Sequence, residues 1–231
     1  MQQINTPISS TELVGSNKYK ETSTCPGSTI PIGCTKPHKS TTPDGAVIFR
    51  RCGRPKCCRG CRDLWAWKMS SAVLRSIAIL PPTHFMTLQP TAGMTNLEFW
   101  VAVGQFWKAL KRPNRCPELE YLTVPEWLSG IQHAHALIRV ESRLARQTLK
   151  ELKQLVGLRV SVTPIKTLVG AVNYLFKHTN RPERKAELTP ASFHGRMVTA
   201  SRDFLTKPLD DLWKEFRDEA IARRRSPGLP G

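Results

Sequence analysis

Residues 130–140, GIQHAHALIRV, constrain the fold most, because polar and apolar side chains alternate along them. In a β-strand successive side chains point to opposite faces of the sheet. The apolar face of this strand is formed by Ala134, Ala136, Ile138 and Val140. His133 and His135 share the other face, where two neighbouring imidazoles can bind one cation. We therefore expect a sheet with a packed back and a metal-binding histidine pair on its front.

The segments around this strand predict an α+β domain. Strands are predicted in HFMTLQP, YLTVPE, HAHALIRV and LRVSVT, and helices in TNLEFWVAVGQFWKALKR and ESRLARQTLKELKQLVG. Thr95 is the expected N-terminal cap of the first of these helices. The resulting order β-α-β-β-α-β predicts an antiparallel sheet with helices on one face, the split βαβ or ferredoxin-like plan. The other face is expected to be open and to carry the histidines. A helix over 63–80 precedes this unit, and a helix in IKTLVGAVNYLFKHT follows it.

Composition divides the chain into four expected regions. Residues 1–24 form a polar, flexible leader, and residues 25–62 form a cysteine-rich lobe. Residues 63–180 hold the sheet and its helices. Residues 181–231 form a C-terminal extension with one amphipathic helix and a basic end.

The charge of the chain indicates the kind of partner it binds. Lys and Arg number 35 against 18 Asp and Glu, a formal net charge of +17, with a pI near 10.0. Such an excess favours a polyanion, with nucleic acid first and an anionic membrane surface second. No apolar run is long enough for a transmembrane helix, and no signal peptide is evident. We expect a cytoplasmic protein that binds no membrane.

Six of the seven cysteines cluster near the cysteine-rich core RRCGRPKCCRGCRD. In a chain without a secretion signal such a cluster predicts a structural Zn²⁺ bound by thiolates. Cys58 and Cys61 have zinc-knuckle spacing and are the firmest pair, followed by Cys52 and Cys34. The alternatives are Cys25 and Cys57, with His38 as an outside candidate, and a set of unligated thiols is the competing interpretation.

Cationic side chains between these cysteines suggest that the lobe also contacts phosphate. The predicted DNA-contacting residues are Arg50, Arg51, Arg54, Lys56 and Arg59, together with Arg139 of the histidine strand.

A second group of reactive side chains lies in the helix AVNYLFKHT. Tyr174 has Lys177 three residues later and His178 four residues later, so all three can share one helix face. A tyrosine hydroxyl attacks a phosphate when a metal or a cation polarises that phosphate, and Lys177 can hold the phosphate as a point charge. The alternative is that the ring packs in the core while Lys177 lies on a solvated face.

Three of these motifs together resemble the HUH endonuclease superfamily. HFMTLQP resembles its first motif, QHAHALI the second, His-hydrophobic-His, and NYLFKH the third, Tyr-x-x-Lys. The likeness covers about residues 50–180 and is greatest to single-tyrosine replication initiators of small bacterial plasmids and microvirus-like phages. Ala134 is smaller than the usual residue between the histidines.

The resemblance implies a role for each matched residue. His133, His135 and a third polar residue would hold Mg²⁺ or Mn²⁺, and Glu126 is the choice for the third. Alternatives for this position are Gln132 and Glu120. Tyr174 would be the nucleophile that forms a 5′-phosphotyrosyl intermediate, with Lys177 as the phosphate or leaving-group partner.

The activity implied is nicking of single-stranded or hairpin origin DNA, which leaves a 3′-OH primer for rolling-circle replication. The chain shows no P-loop, so a fused helicase is not expected. The resemblance implies a host helicase and a host polymerase as partners. The alternatives are an HUH transposase or mobilisation relaxase, and a non-enzymatic zinc-finger DNA-binding protein. A zinc nucleobase deaminase is excluded, because its His-x-Glu and Pro-Cys-x-x-Cys motifs are absent.

Overall fold

The computed structural model of the chain describes residues 37–43, 45–52, 58–128, 131–140, 146–176 and 196–225. Its strands are β1 (His38–Thr41), β2 (Val47–Arg50), β3 (His84–Pro90), β4 (Glu120–Leu128), β5 (Ile131–Arg139), β6 (Leu158–Pro164) and β7 (Thr199–Ala200). Its helices are α1 (Arg59–Ile77), α2 (Asn96–Leu110), α3 (Arg146–Val156), α4 (Leu168–Phe176) and α5 (Leu209–Arg225).

Five of the strands form one antiparallel sheet in the order β6-β3-β5-β4-β7. Along the chain its four longer strands follow the order β3-α2-β4-β5-α3-β6. The strands joined through α2 are separated in the sheet by β5, which is the defining feature of a split βαβ unit. The predicted antiparallel sheet in a mixed α+β chain is therefore confirmed.

Helices cover both faces of this sheet, so the prediction of helices on one face only is wrong. One core lies between α2, α3 and the face that carries Ala134 and Ala136. A second core joins α1 and α4 to the opposite face through Leu122, Val124 and Leu137. Leu137 shares its face with the histidines, since it is two residues beyond His135. Helices α1 and α4 bury the apolar side chains of that face.

The N-terminus of α2 is fixed by a capping box. Thr95 accepts a hydrogen bond from the backbone N–H of Glu98, and the Glu98 carboxylate accepts one from the backbone N–H of Thr95. These two bonds satisfy backbone donors that a helix start otherwise leaves unpaired. The helix then buries Phe99 and Phe106 against the sheet. The predicted cap at Thr95 is confirmed.

The predicted amphipathic C-terminal helix is present as α5, and it packs on α1 of the same chain. The rings of Trp67 and Trp213 meet edge to face, with centroids 4.9 Å apart. Arg75 of α1 forms ion pairs with Glu215 and Glu219 of α5. The C-terminal extension thus covers α1, and β7 adds a short strand beside β4.

The described part of the cysteine-rich lobe contains a small antiparallel hairpin of β1 and β2. No strand was predicted there from the sequence. The leader, residues 1–24, lies outside the described residues. Within the described ranges, no helix is both long and apolar enough to cross a membrane.

Candidate active site

His135 lies in the middle of β5, with a neighbouring strand on each side. It is opposite Thr87 of β3 and Val124 of β4. Its Nδ1 atom lies 3.1 Å from the hydroxyl oxygen of Thr87, and its Nε2 atom is hydrogen-bonded to Oε2 of Glu126. His135 is only 5 % exposed and Glu126 only 8 %. Both groups therefore meet where little water reaches them.

These two hydrogen bonds determine which nitrogen of a neutral His135 ring carries the proton. A carboxylate can only accept a hydrogen bond, so Nε2–H donates to Glu126 and the Thr87 hydroxyl donates to Nδ1. A hydroxyl can also accept a hydrogen bond. Thr87 can therefore hold the ring equally well if Nε2 loses its proton and Nδ1 carries it.

Tyr174 reaches this histidine from α4. The rings of Tyr174 and His135 are arranged edge to face, with centroids 5.2 Å apart. Phe85 of β3 contacts both rings, at centroid distances of 5.4 Å from Tyr174 and 5.5 Å from His135. Tyr174 remains 50 % exposed. A substrate in solvent can therefore approach this tyrosine beside a buried histidine.

His133 lies on the same face of β5 as His135, as the strand alternation predicts, and it is half-buried. It stands opposite Glu126 in the β4–β5 hairpin. Among the described residues, however, only Cys52, Cys58 and Cys61 bring three potential ligand atoms within 4.8 Å of one another. His133, His135 and Glu126 share one patch of the sheet without reaching that spacing.

Glu126 and His135 carry donor atoms of the kinds that bind divalent cations. Glu126 offers a carboxylate and His135 an imidazole nitrogen in direct contact, and the Thr87 hydroxyl holds the other ring nitrogen. An outer hydrogen bond of this kind orients a histidine ligand in metal sites. Carboxylate and water are ligands that suit Mg²⁺ or Mn²⁺, and imidazole is a ligand for transition-metal ions.

The two alternative third ligands are placed away from the histidine pair. Gln132 lies on the opposite face of β5, because it alternates with His133, and it is buried there. Glu120 lies at the far end of β4, where it forms an ion pair with Arg139. Of the three carboxylates and amides considered, Glu126 alone meets a histidine of the pair.

Arg139 does not lie on a free cationic surface. Its guanidinium is bonded to Glu120 and to the backbone carbonyls of Leu80 and Phe204. These partners tie the end of β5 to the segment after α1 and to the C-terminal extension. Both terminal nitrogens of Arg139 are thus bonded within the protein, an arrangement that does not favour the predicted DNA contact.

The other predicted DNA-contacting residues are only partly described. Arg51 donates a hydrogen bond to the carbonyl of Gly60, 3.1 Å away, across the cysteine lobe. The backbones of Arg50 and Arg59 belong to β2 and α1. Arg54, Lys56 and Lys177 lie outside the described residues.

Three of the four favoured zinc ligands are brought together at the start of α1. The Sγ atoms of Cys52, Cys58 and Cys61 all lie within 4.8 Å of one another, and those of Cys52 and Cys61 are 3.4 Å apart. A disulfide would need about 2.05 Å, and two thiolates on one tetrahedral zinc lie about 3.8 Å apart. The cluster can therefore hold a metal. Cys25, Cys34 and Cys57 lie outside the described residues, and His38 does not join this cluster.

Sequence analysis assigned no role to Phe85 and Thr87, which complete the surroundings of His135. Both lie in HFMTLQP, two residues apart, and therefore share one strand face. That alternation was a usable signal once β3 had been placed beside β5. Ser161 and Thr163 place two exposed hydroxyl groups on one face of β6. Nothing in the sequence singled them out, because serine and threonine are common on exposed strand faces.

A search of protein-family models, curated proteins and solved structures finds no match for this chain. The chemistry of the site therefore rests on its own residues. These are a half-exposed tyrosine, a buried histidine bonded to a carboxylate, and a second histidine on the same strand face.

Proposed function

We propose that this protein is a metal-dependent endonuclease of the HUH type, which nicks single-stranded DNA with Tyr174 as the nucleophile. The observation that carries the proposal is the contact between the Tyr174 and His135 rings. It places a half-exposed phenol beside the histidine that Glu126 and Thr87 hold.

The proposed step is a transfer of the phosphate from DNA to the protein. The phenolic oxygen of Tyr174 forms a bond to phosphorus, and the bond from phosphorus to the 3′ oxygen breaks. The phenol loses one proton and the leaving 3′ oxygen takes one up, so that a 5′-phosphotyrosine and a free 3′-OH result. A divalent ion held by Glu126 and His135 would supply charge that polarises the phosphate.

The other side chains position the reacting groups. Thr87 fixes the His135 ring, and Phe85 packs against both His135 and Tyr174. His133, half-buried on the same strand face, is the other histidine of the proposed ligand set. Lys177, three residues after Tyr174, is the proposed partner of the phosphate or the leaving group.

The charge of the chain supports DNA as the substrate. At +17, the protein attracts a polyanion and raises its concentration near the surface. The matched motifs of the superfamily favour a single-tyrosine initiator of rolling-circle replication that works with a host helicase and polymerase in the cytoplasm. A transposase or relaxase would use the same chemistry on a different DNA.

We further propose that the cysteine cluster holds one structural Zn²⁺. Cys52, Cys58 and Cys61 supply three thiolates, and Cys34 is the fourth ligand, with Cys25 and Cys57 as its alternatives. Cys58 and Cys61 are buried at the start of α1. The ion would therefore join the small β1–β2 hairpin to the main domain.

The test uses a randomised single-stranded DNA library with Mg²⁺ or Mn²⁺. The expected product is a covalent protein–DNA adduct that survives denaturing gels and carries the 5′-phosphate end of the cut strand. Sequencing of the attached strands gives the nick site. Chelator should prevent the adduct, and the released fragments should be extendable by a polymerase. Cleavage without an adduct would contradict the tyrosine mechanism.

A zinc-ordered DNA-binding protein without catalysis is the second candidate, favoured by the cysteine cluster and the charge. It predicts tight DNA binding and no adduct with any library or metal. The same experiment separates the two, because binding and adduct formation are read from the same gel.

A further inference from the structure

A cleft of about 370 Å³ lies beside the candidate active site, between β6 and the first turn of α4. Its walls carry hydroxyl groups, one cation and two aromatic rings. The residues that supply them are Thr87, Ser161, Thr163, Lys166, Phe85 and Tyr174. The cleft is wide and open to solvent, so a ligand can enter it sideways as part of a longer chain.

Two of these residues belong to both the cleft and the site. Thr87 lines the cleft and is hydrogen-bonded to Nδ1 of His135, and Tyr174 lines the cleft and contacts the His135 ring. Register places Ser161 directly opposite Thr87 and Thr163 opposite Phe85. Hydroxyls of β6 therefore continue the polar row that starts at His135, toward the outer strand.

The chemistry of the walls fits a nucleotide. Lys166 is exposed and can hold a phosphate as a point charge. The threonine and serine hydroxyls can donate to or accept from a sugar or a base edge. Phe85 and Tyr174 offer aromatic surface against which an unstacked base can pack.

We propose that this cleft binds one nucleotide of the single strand next to the scissile phosphate, with Lys166 on the flanking phosphate. The inference rests on the proposed function for its substrate class, and it adds a subsite that positions the strand for Tyr174. A duplex does not fit this arrangement, because a paired and stacked base cannot present its face to the cleft wall.

Gly170 keeps the α4 side of the cleft open. A Cβ atom at this position would lie 2.6 Å from the hydroxyl oxygen of Thr167, so the Thr167 side chain would have to rotate. Gly170→Ala therefore changes the shape of the cleft wall by displacing the Thr167 hydroxyl. The sheet is not disturbed, because the displaced atom is the end of a side chain.

The experiment measures the affinity for a fluorescent single-stranded oligonucleotide in chelator, so that no cleavage occurs. Lys166→Ala is compared with Lys108→Ala, which removes the same charge from an exposed position on α2, across the sheet. We expect Lys166→Ala to weaken binding about three- to fivefold and to lower the salt slope by about 0.7, the value for one single-strand phosphate contact. Gly170→Ala should weaken single-strand binding and leave duplex binding unchanged.

A neutral methylphosphonate at one position of the oligonucleotide then identifies the contact. At the position that Lys166 holds, the substitution should weaken the wild-type complex and have no further effect on Lys166→Ala. Equal losses for Lys166→Ala and Lys108→Ala, or a methylphosphonate effect that persists at every position in Lys166→Ala, would overturn the subsite. Equal losses on single strand and duplex would overturn it as well.

The proposed function and this subsite fail in different ways. A wild-type adduct on Tyr174 together with normal binding by Lys166→Ala would leave the nicking activity standing and remove the subsite. A Lys166-specific single-strand contact without any adduct would keep the subsite and remove the endonuclease.

Discussion

The ring of Tyr174 meets the ring of His135 edge to face, although one belongs to α4 and the other to β5. Phe85 closes the group by contacting both rings. Edge-to-face contacts orient aromatic rings with respect to each other. The position of the phenol is thus tied to the histidine, as the proposed in-line attack on a phosphate requires.

The first prediction concerns the Tyr174 hydroxyl. Tyr174→Phe keeps the ring and its contacts with Phe85 and His135, and removes only the proposed nucleophile. We expect no covalent adduct and unchanged affinity for single-stranded DNA. Tyr121→Phe is the matched control, because Tyr121 stacks on Trp107 in the other core and should form the adduct normally. An adduct on Tyr174→Phe would refute the assignment.

The second prediction concerns the carboxylate of Glu126. Glu126→Gln keeps the size and a hydrogen bond to His135 but removes the negative charge that attracts a divalent ion. Nicking should fall about a hundredfold or more, with part of the activity recovered at high Mn²⁺. Glu118→Gln, at an exposed position before β4, is the control and should nick at the wild-type rate. Undiminished nicking by Glu126→Gln would exclude the carboxylate as a ligand.

The third prediction concerns the outer hydrogen bond to His135. Thr87→Val keeps the branched shape and removes the hydroxyl that holds Nδ1. Loss of such a partner lowers metal affinity about 10- to 100-fold. The Mn²⁺ concentration that half-saturates nicking should rise by that factor, and direct Mn²⁺ binding should weaken in parallel. If saturating Mn²⁺ does not restore the rate, Thr87 acts on more than the metal.

Much of this arrangement could be predicted from the alternation along single strands. The pattern around His133 and His135 predicted a shared strand face, and the segments HFMTLQP, YLTVPE and LRVSVT predicted the other long strands of the antiparallel sheet. The capping pattern at Thr95 predicted the start of α2. These features depend on residues close together in the sequence, where the periods of strand and helix apply directly.

What could not be predicted depends on contacts between distant segments. Helices α1 and α4 cover the histidine face because Leu122 and Leu137 on that face are apolar and must be buried. The prediction of an open face considered only the two histidines and not these leucines. Arg139 carries a cation at the end of the histidine strand, yet its partners are Glu120 and two carbonyls supplied by distant loops. Charge alone does not distinguish a buried ion pair from a DNA contact.

The fourth prediction tests the capping box of α2. Thr95→Ala removes the side chain that accepts from Glu98 N–H and should lower the free energy of unfolding by about 1 kcal/mol. The backbone N–H of Thr95 lowers the pKa of the Glu98 carboxyl below its usual value. The ionised Glu98 carboxylate therefore stabilises the fold at pH values above its ordinary pKa. This stabilisation is lost as the pH falls through the lowered pKa of the folded state. Urea unfolding at neutral and acidic pH should show the two curves of wild type and Glu98→Gln converging in acid. Parallel curves at all pH values would contradict the box.

The last prediction concerns the cysteine cluster. Metal analysis of the purified chain should find one zinc, bound by Cys52, Cys58, Cys61 and one further ligand. The double variant Cys58→Ser/Cys61→Ser should lose the zinc and unfold at a lower temperature, because both residues anchor the start of α1.

The matched control is Cys116→Ser, since Cys116 is buried in the core between α2 and the sheet and lies outside the cluster. Burial and the neighbouring Glu118 raise the pKa of the Cys116 thiol, which makes it a poor metal ligand. This variant should keep its zinc. Excess chelator should lower the unfolding temperature of wild type and Cys116→Ser alike, and leave the double variant unchanged, because only a bound ion stabilises the folded state by mass action. A zinc-free wild type, or a double variant as stable as wild type, would show that the thiols are unligated.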